Sequence, residues 1–353
     1  MGKGATISAQ LECPAPLAGG ETILLGHGSG GRLTAELIRE LFLPAFRSPA
    51  LARLDDQAVV SVNGCRLAFT TDSFVVKPLF FPGGDIGSLA VHGTINDLAM
   101  GGARPLFLSA AFIIEEGFAI AELKRIVASF QEAAGAAEVE IVTGDTKVVE
   151  RGSGDGVFIN TSGIGMVPKG VELSANQARA GDQVLLSGAI GEHGMAILAQ
   201  REGLEFESTI RSDSAALHGL VAEMLKSTRK IRCMRDPTRG GLAGTLNEIA
   251  QQSQVGIELD EGLIPVGEEV RAACEILGLD PMYVANEGKL VAIVAAEAAG
   301  DVLRAMRRHP LGERARAIGT VKREHAGMVT MRTALGTSRI VDLLAGDQLP
   351  RIC

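Results

Sequence analysis

Hydrophobic and polar positions in the first half of the chain follow the two-residue period of strands in some segments and the helical period in others. Apolar runs at 58–62 and 66–70 flank Asn63-Gly64, a dipeptide typical of tight hairpin turns. Asp85 is a suitable N-cap for a helix over 86–100. The pattern then predicts a strand over 106–114, a helix over 119–134, a strand over 139–142, and a second hairpin over 148–167.

The second half begins after residues 168–182, which lack a periodic pattern and predict a domain boundary. Predicted strands lie at 184–188, 255–259, 289–295, 316–322 and 327–332, and predicted helices at 192–201, 214–226, 241–251, 267–277 and 297–308. We therefore expect an α/β fold with mixed sheets. Its expected parts are an N-terminal arm (1–22), an N-terminal domain (23–168), a C-terminal α/β domain (182–333) and a mobile C-terminal tail (334–353).

Length and composition fit this division. The chain has 353 residues, 46% of them hydrophobic and 22% charged, which is enough to bury two cores. The net charge of −8 argues against nucleic acid as a partner, because binding a phosphate backbone needs a cationic face. Five scattered cysteines lack zinc-ligand spacing and indicate a reducing compartment. Without a spanning apolar run or a secretory signal, we expect a cytoplasmic protein with no membrane partner.

A glycine-rich loop at 26–31, which includes Gly28 and Gly30, precedes a helical pattern and matches a dinucleotide-binding fingerprint. The predicted hairpin at 58–70 argues against a dinucleotide, because that fold continues into a parallel strand after its first helix. A flap over another phosphate ligand and a plain flexible loop both remain open.

Four aspartates, Asp56, Asp72, Asp97 and Asp236, recur at predicted strand ends and turns. A single aspartate at such a position usually accepts backbone hydrogen bonds within its turn. Together with the glycine-rich loop and Lys147, they supply what a Mg²⁺-nucleotide requires, namely a few carboxylates for the ion and cationic or N–H groups for the phosphates.

The last residue is a cysteine, Cys353. Gly346 and Pro350 interrupt any element that would hold the end of the chain, so we expect the sulfur to be mobile. One interpretation is an incidental end residue. The other is a thiol on a tether that carries a chemical group into an active site formed elsewhere.

Longer motifs resemble one family. They are Thr70-Thr71-Asp72-Ser73, Gly93-Thr94-Ile95-Asn96-Asp97-Leu98, Thr143-Gly144-Asp145-Thr146-Lys147, Asp236-Pro237-Thr238-Arg239-Gly240-Gly241, Asn286-Glu287-Gly288 and Pro350-Arg351-Ile352-Cys353. This set resembles the HypE family of hydrogenase maturation proteins, in the aminoimidazole ribonucleotide synthetase-like ATP-binding superfamily. The match runs from about residue 23 to the end. The motifs of the first half indicate only the superfamily, and the terminal four residues single out the family.

The resemblance implies an ATP-dependent dehydration on the chain's own terminal cysteine. The partner carbamoyltransferase HypF would place a carbamoyl group on Cys353. Phosphorylation of the carbonyl oxygen by ATP would create a good leaving group, and removal of the nitrogen protons would leave a thiocyanate. The cyanide would then pass through the HypC–HypD complex to the Fe(CN)₂CO centre of a [NiFe]-hydrogenase.

The matched positions also imply the residues of the site, with ATP and Mg²⁺ as cofactors. Catalytic roles are implied for Cys353, for Glu287 as the base and for Lys147, which would offset the charge of the γ-phosphate. The other interpretation of Glu287 is a helix-approach or turn carboxylate, and that of Lys147 is a residue that only shapes its loop. ATP and phosphate binding is implied for Gly28, Gly30, Asp72, Asn96, Asp97, Thr143, Asp145 and Arg239. Mg²⁺ binding is implied for Asp56, Asp72, Asp97 and Asp236.

Two other residues and the oligomeric state complete the expectations. His193 is expected either to line the site or to have a structural role. Arg351 favours the thiolate of Cys353 while the adjacent terminal carboxylate opposes it, so no net direction is predicted for the pKa of the thiol. Because N-terminal domains of the superfamily pair through their sheets, the resemblance implies a homodimer.

Two alternative functions remain. The first is a superfamily synthetase that acts on a free small molecule. Selenophosphate synthetase would carry a reactive Cys or Sec and a Lys around its glycine-rich loop, whereas residues 26–31 contain neither, and a purine-pathway enzyme has no use for Cys353. The second is a non-catalytic maturation scaffold, against which Asp97, Lys147 and Glu287 argue.

Overall fold

The computed structural model describes residues 22–204, 210–344 and 351–353. The predicted N-terminal arm lies outside the described residues except for its last residue, and so do Gly346 and Pro350 of the predicted tail. No helix in the part of the chain described here is both long and apolar enough to cross a membrane.

The N-terminal domain is a five-stranded sheet with two long helices. Its elements are α1 (Arg32–Leu37), a π-helical turn (Ile38–Phe42), α2 (Leu43–Phe46), β1 (Ala58–Val62), β2 (Cys65–Phe74), the short strands β3 (Phe80–Phe81) and β4 (Gly84–Asp85), α3 (Ile86–Met100), β5 (Arg104–Glu115), α4 (Ile120–Ala136), β6 (Glu140–Val149) and β7 (Val157–Met166).

The first predicted hairpin is confirmed. β1 and β2 pair antiparallel, and the turn has positive φ at both Asn63 and Gly64, as a tight hairpin requires. The predicted N-cap of α3 is also confirmed, because the Asp85 carboxylate accepts hydrogen bonds from the backbone N–H groups of Gly87 and Ser88. Local sequence signals were sufficient at both places.

The second predicted hairpin is wrong. The strand order is β1-β2-β7-β5-β6, so β6 and β7 lie on opposite sides of β5 instead of pairing with each other. The intervening loop crosses the end of β5, where the Glu115 carboxylate accepts hydrogen bonds from the N–H groups of Gly152 and Gly156. The turn residues predicted a reversal of direction, but the choice of neighbouring strand depends on non-local pairing.

The C-terminal domain is a seven-stranded sheet with helices. Its elements are β8 (Gln183–Leu186), α5 (Glu192–Glu202), α6 (His218–Ser227), β9 (Ile231–Arg235), α7 (Gly241–Ser253), β10 (Gly256–Asp260), α8 (Glu268–Leu277), β11 (Val291–Val294), α9 (Ala296–Arg307), β12 (Arg316–Lys322), β13 (Val329–Arg332) and β14 (Ser338–Val341). The strand order is β14-β13-β10-β12-β8-β11-β9.

Two strands of this sheet were not predicted. β9 is a short edge strand, and β14 lies inside the segment predicted as a mobile tail. Because β14 pairs with β13 from Ser338 to Val341, the folded domain continues beyond the predicted boundary at residue 333.

The two domains share one apolar core at the carboxyl end of α3. Leu98 and Met100 of α3 belong to the same buried cluster as Leu220 and Met224 of α6. Burial of these side chains fixes α3 between the sheet of its own domain and the C-terminal domain. Asp97, one residue before Leu98, is thereby held close to the domain interface.

Candidate active site

Three carboxylates converge where the two domains meet. One ligand oxygen from each of Asp56, Asp97 and Asp236 lies within 4.8 Å of the others. Asp56 precedes β1, Asp97 lies in the last turn of α3, and Asp236 follows β9. The Thr70 hydroxyl donates a hydrogen bond to Asp97 Oδ2 at 2.7 Å, which fixes that carboxylate. Three of the four aspartates predicted to bind metal are therefore together.

The electrostatics of this carboxylate cluster suit a cation. Burial, and then the other carboxylates, raise the pKa of Asp97 well above its usual value. Burial likewise raises the pKa of Asp56, although Arg235 lies 2.7 Å from its Oδ1. Asp56 Oδ2 is buried without a hydrogen-bond partner among the described residues. Oxygen ligands, a surplus of negative charge and an unsatisfied carboxylate oxygen are what Mg²⁺ requires, so the residues fit the ion.

Asp72 lies on β2, next to the three-carboxylate cluster but not within it. Its carboxylate accepts a hydrogen bond from the N–H of Ser73 at 2.8 Å. Burial raises its pKa, and the neighbouring Arg239 opposes that shift. From this position the Asp72 carboxylate is better placed to contact a phosphate group or a second metal ion than to bind the ion that the other three aspartates would share.

Arg239, Glu287 and Cys353 form a second group beside the carboxylates. The Cys353 sulfur is the largest cause of the raised pKa of Arg239, followed among charged neighbours by Asp72 and Glu287. Burial raises the pKa of the Cys353 thiol to about 12, and Arg239 opposes the shift. The sequence predicted no net direction for this pKa. The guanidinium that acts on the thiol belongs to Arg239, because Arg351 is paired with Asp155.

Glu287 is only 2% exposed, and its Oε1 has no hydrogen-bond partner in the described part of the chain. Burial raises its pKa well above the usual value, and Asp236 and Asp72 add to the shift. A buried, unpaired carboxyl group with a raised pKa next to a cysteine is a candidate proton acceptor. These features agree better with a catalytic base than with an ordinary turn carboxylate.

The backbone around Glu287 is held from both sides. The Asp213 carboxylate accepts hydrogen bonds from the N–H groups of Glu287 and Gly288, each at 3.2 Å, and pairs with Lys289 at 3.0 Å. The Asn96 amide donates to the Glu287 carbonyl at 3.2 Å and accepts from Leu217 N–H at 2.8 Å. Asn96 was expected to bind nucleotide, but its side chain is engaged with backbone groups and positions Glu287.

The end of the chain is docked in this structure, whereas the sequence predicted a mobile sulfur. Val75 N–H donates to the Cys353 carbonyl at 3.0 Å, and Lys77 N–H donates to the Arg351 carbonyl at 3.2 Å. Ile352 is 2% exposed and belongs to the core of the N-terminal domain. The local helix and strand breakers carry no information about these distant contacts, and the mobility of the tail stays a prediction.

The glycine-rich loop lies against Arg239, as expected for a loop that contributes to the site. The Gly28 carbonyl accepts a hydrogen bond from Arg239 at 3.0 Å. Gly30 has φ +76, and a Cβ there would lie 2.9 Å from the Arg239 carbonyl oxygen. Next to this loop is a cavity of about 790 Å³ between α1, β2 and α7, whose lining includes Gly30, Thr34, Asp56, Phe69, Thr70 and Gln251.

Thr143, Asp145 and Lys147 lie away from the cluster within one chain. All three are exposed on β6, an edge strand that β5 and β7 separate from β2. Lys147 pairs with Asp145 at 2.7 Å, and their side chains are 68% and 59% exposed. One chain by itself therefore does not bring these predicted contacts to Cys353.

Sequence reasoning missed three contributors, Arg235, Asp213 and Asp155. Arg235 pairs with Asp56 across the domains, and Asp155 pairs with Arg351. Arg235 precedes the recognised Asp236 motif, which was the only available signal. Asp213 and Asp155 lie in loops without a motif, so their roles depend on contacts between segments distant in sequence.

Comparison with known proteins identifies the family of the chain. Family models of AIR synthase related proteins match residues 54–167 with the N-terminal domain and 179–332 with the C-terminal domain. Carbamoyl dehydratase HypE of Azotobacter vinelandii is 62% identical over 327 residues, which cover 93% of this chain and 96% of that protein.

Two solved structures are also similar. A HypE–HypF complex has a TM-score of 0.83 at 51% identity and covers 87% of this chain and 99% of its own. Hydrogenase maturation protein HypE in complex with ATP has a TM-score of 0.80 at 51% identity and covers 94% of this chain and 100% of its own. These matches confirm the α/β fold class and the resemblance inferred from the motifs. The chain therefore belongs to the family of hydrogenase maturation proteins represented by carbamoyl dehydratase HypE.

Proposed function

We propose that the chain dehydrates an S-carbamoyl group on its own Cys353 to a thiocyanate at the expense of ATP. The observation that carries this proposal is the docked terminal residue, whose thiol has a pKa that responds to the charges of Arg239, Glu287 and the neighbouring carboxylates. A docked terminal thiol beside a candidate base and a phosphate-binding cation suits a reaction in which the substrate is attached to the enzyme. The product would supply cyanide for hydrogenase maturation.

The proposed reaction has two steps. First, the carbonyl oxygen of the S-carbamoyl group attacks the γ-phosphorus of ATP, and ADP leaves. Glu287 then takes one nitrogen proton and the departing phosphate takes the other as the C–O bond breaks, so hydrogen phosphate leaves and S–C≡N remains on Cys353. The raised pKa of Glu287 makes its carboxylate a stronger base than an ordinary glutamate carboxylate. Arg239 would offset the negative charge that develops on the phosphoryl oxygens.

We place the nucleotide in the cavity beside the glycine-rich loop. Asp56 of the carboxylate cluster is part of the cavity lining, so we propose that a nucleotide there directs its phosphates toward the three aspartates. Asp56, Asp97 and Asp236 would hold Mg²⁺, which supplies charge neutralisation for the polyphosphate when bound. The similar HypE structure with bound ATP supports the nucleotide assignment.

A homodimer would give Thr143, Asp145 and Lys147 a function. Cross-strand partners show that Lys147 lies on the same face of the sheet as Ile113, and Ile113, Phe69 and Ile164 are all between 39% and 46% exposed. We propose that a second copy covers this apolar face. Since β6 lies far from the site of its own chain, its polar residues would act at the site of the other copy.

The proposed partners follow from the source and the destination of the group. The similar HypE–HypF complex supports the carbamoyltransferase HypF as the donor. The HypC–HypD complex is the proposed acceptor of the cyanide, and the cytoplasm is the proposed location of both exchanges.

A single-turnover experiment tests the proposal. Protein carbamoylated by HypF is purified, mixed with Mg²⁺-ATP, and assayed for phosphate and for the state of Cys353. We expect one phosphate per carbamoylated chain, and accumulation of the S-carbamoyl form in Glu287→Gln. A free-substrate synthetase would instead cleave ATP equally well after Cys353→Ala, and a scaffold would cleave none with any tail. Either result contradicts the proposal.

A further inference from the structure

The terminal residues pair with the segment that follows β2. Val75 N–H binds the Cys353 carbonyl, Lys77 N–H binds the Arg351 carbonyl, and Arg351 Nε donates to the Val75 carbonyl at 3.0 Å. The two backbone hydrogen bonds join alternate residues of the two segments in antiparallel order, although Arg351 has φ +57 and lies outside regular strand geometry. Backbone pairing of this kind fixes the register of the tail but does not by itself distinguish one sequence from another.

Side chains outside the carboxylate cluster contact the same tail residues. Asp155, in the loop between β6 and β7, accepts a hydrogen bond from the Arg351 guanidinium and also pairs with Lys77 at 3.2 Å. Arg201, near the end of α5, donates to the Arg351 carbonyl at 2.8 Å. A planar guanidinium on a carboxylate is a sequence-specific contact, because lysine does not reproduce its geometry.

His193 makes the third side-chain contact. Its Nε2 lies 2.9 Å from the Ile352 carbonyl oxygen, which only accepts, so Nε2 carries the proton. Nδ1 then accepts from the Ser212 hydroxyl at 2.8 Å, and Ser212 Oγ accepts from Ser214 N–H at 3.1 Å. Burial lowers the pKa of His193, which keeps the ring neutral. The chain of hydrogen bonds therefore fixes both the tautomer and the orientation of the donor.

We infer that Asp155, His193 and Arg201 form a recognition site for a carboxyl-terminal Arg-Ile-Cys sequence, and that this site places the terminal sulfur beside Glu287. These three positioning residues are called the tail clamp below. The ligand is a terminal peptide with an arginine in the third-last position and an apolar residue before the cysteine. Ile352 fits that description because it is buried in the core that also contains Ile197 and Ala285.

The hydrogen bonds from the tail clamp to the tail that carry this inference involve the Arg351 guanidinium, the Arg351 carbonyl and the Ile352 carbonyl. None of these three contacts involves the sulfur. The tail clamp would therefore hold a thiol, an S-carbamoyl group and a thiocyanate with the same contacts. A contact that does not differ between states cannot bias the equilibrium between them, so other residues must provide any preference for docking one chemical form.

Alkylation of Cys353 measures docking without any catalytic step. The docked thiol is partly buried and its pKa is raised to about 12, so iodoacetamide reacts through the undocked tail. Exposed Cys65 serves as an internal reference in the same mass-spectrometric digest. Asp155→Asn should raise the Cys353 alkylation rate roughly three- to tenfold through loss of the charged contact, and Asp155→Glu should restore most of the protection.

A matched control uses another ion pair of similar exposure. Asp260 pairs with Arg332 and is 30% exposed, against 32% for Asp155. Asp260→Asn should leave the Cys353 alkylation rate unchanged. Equal rates in wild type, Asp155→Asn and Asp260→Asn would overturn the tail clamp.

His193 provides a second, independent test. His193→Gln keeps an N–H donor near the position of Nε2 and should retain protection, whereas His193→Ala should raise the Cys353 alkylation rate by about tenfold or more. Circular dichroism and continued protection of the buried Cys233 and Cys274 show whether each variant is folded. Loss of protection in His193→Gln equal to that in His193→Ala would overturn the assigned donor.

The tail clamp inference rests on the proposed function, but different experimental results contradict the clamp and the function. Faster alkylation in the Asp155 and His193 variants, with no ATP-dependent dehydration in any protein, would support the clamp and contradict the function. Dehydration that depends on Glu287, with alkylation rates unaffected by the clamp variants, would support the function and overturn the clamp.

Discussion

Asp97→Asn tests whether the carboxylate cluster is built for a cation. The substitution keeps the shape of the side chain and an oxygen that accepts from Thr70, but it removes one negative charge. Two full charges 4.8 Å apart repel each other by about 3.5 kcal/mol at an effective dielectric constant of about 20. Part of this repulsion is already relieved, because the raised pKa of Asp97 keeps the cluster partly protonated.

We therefore expect the metal-free Asp97→Asn protein to be more stable than wild type by about 1–2 kcal/mol, a rise in Tm of roughly 1–3 °C. Its affinity for Mg²⁺ should fall by about tenfold or more, because affinity depends on the number of charged ligands. Differential scanning fluorimetry across a Mg²⁺ titration measures both effects, since the ion stabilises only the folded state that binds it.

Asp182→Asn is the control for this experiment. Asp182 is a buried carboxylate outside the site; it lies 3.6 Å from Arg232 and accepts a hydrogen bond from Arg179 N–H. Its substitution should lower Tm and leave the Mg²⁺-dependent shift unchanged. The reasoning about the cluster is refuted if Asp97→Asn lowers the Tm of the metal-free protein and retains the wild-type Mg²⁺ shift.

Three further predictions concern the base, the second copy and pH. Glu287→Gln should slow dehydration by about 10²- to 10⁴-fold in single-turnover assays while nucleotide binding, followed by calorimetry, is retained; an unchanged rate would exclude it as the base. An equimolar mixture of inactive Lys147→Ala and Glu287→Gln chains should recover about a quarter of the activity if Lys147 acts across a dimer, and none if it acts within its own chain. Burial raises the pKa of Asp236 to about 6 from 3.8, so the folded protein holds more protons than the unfolded chain between these values. The stability of the metal-free protein should therefore fall as pH rises from about 4 to 6 in denaturant titrations, and Mg²⁺ should reduce this slope; a stability that rises across this window would contradict the shift.

Local signals explain what the sequence predicted well. The hairpin at Asn63-Gly64 and the N-cap at Asp85 depend on residues within a few positions, so both were confirmed. The family resemblance supplied the convergence of Asp56, Asp97 and Asp236, because a single turn aspartate gives no information about its distant neighbours.

Non-local contacts explain what the sequence missed. β7 lies between β2 and β5 because of pairing across the sheet, which no turn motif specifies. The docked tail depends on Asp155 and His193, which precede Cys353 by well over a hundred residues. Asn96 belongs to a recognised motif, yet its amide donates a hydrogen bond to the Glu287 backbone carbonyl. Only the folded structure reveals this contact.

The most direct test of the proposed function is the intact mass of the protein after incubation with HypF, carbamoyl phosphate and ATP, in wild type and Cys353→Ala. Wild type should first gain the mass of one carbamoyl group and then, with ATP, lose the mass of one water, while Cys353→Ala should show neither change. An active HypF that leaves Cys353 unmodified, or a carbamoylated wild type that keeps its water in the presence of ATP, would contradict the proposed dehydration.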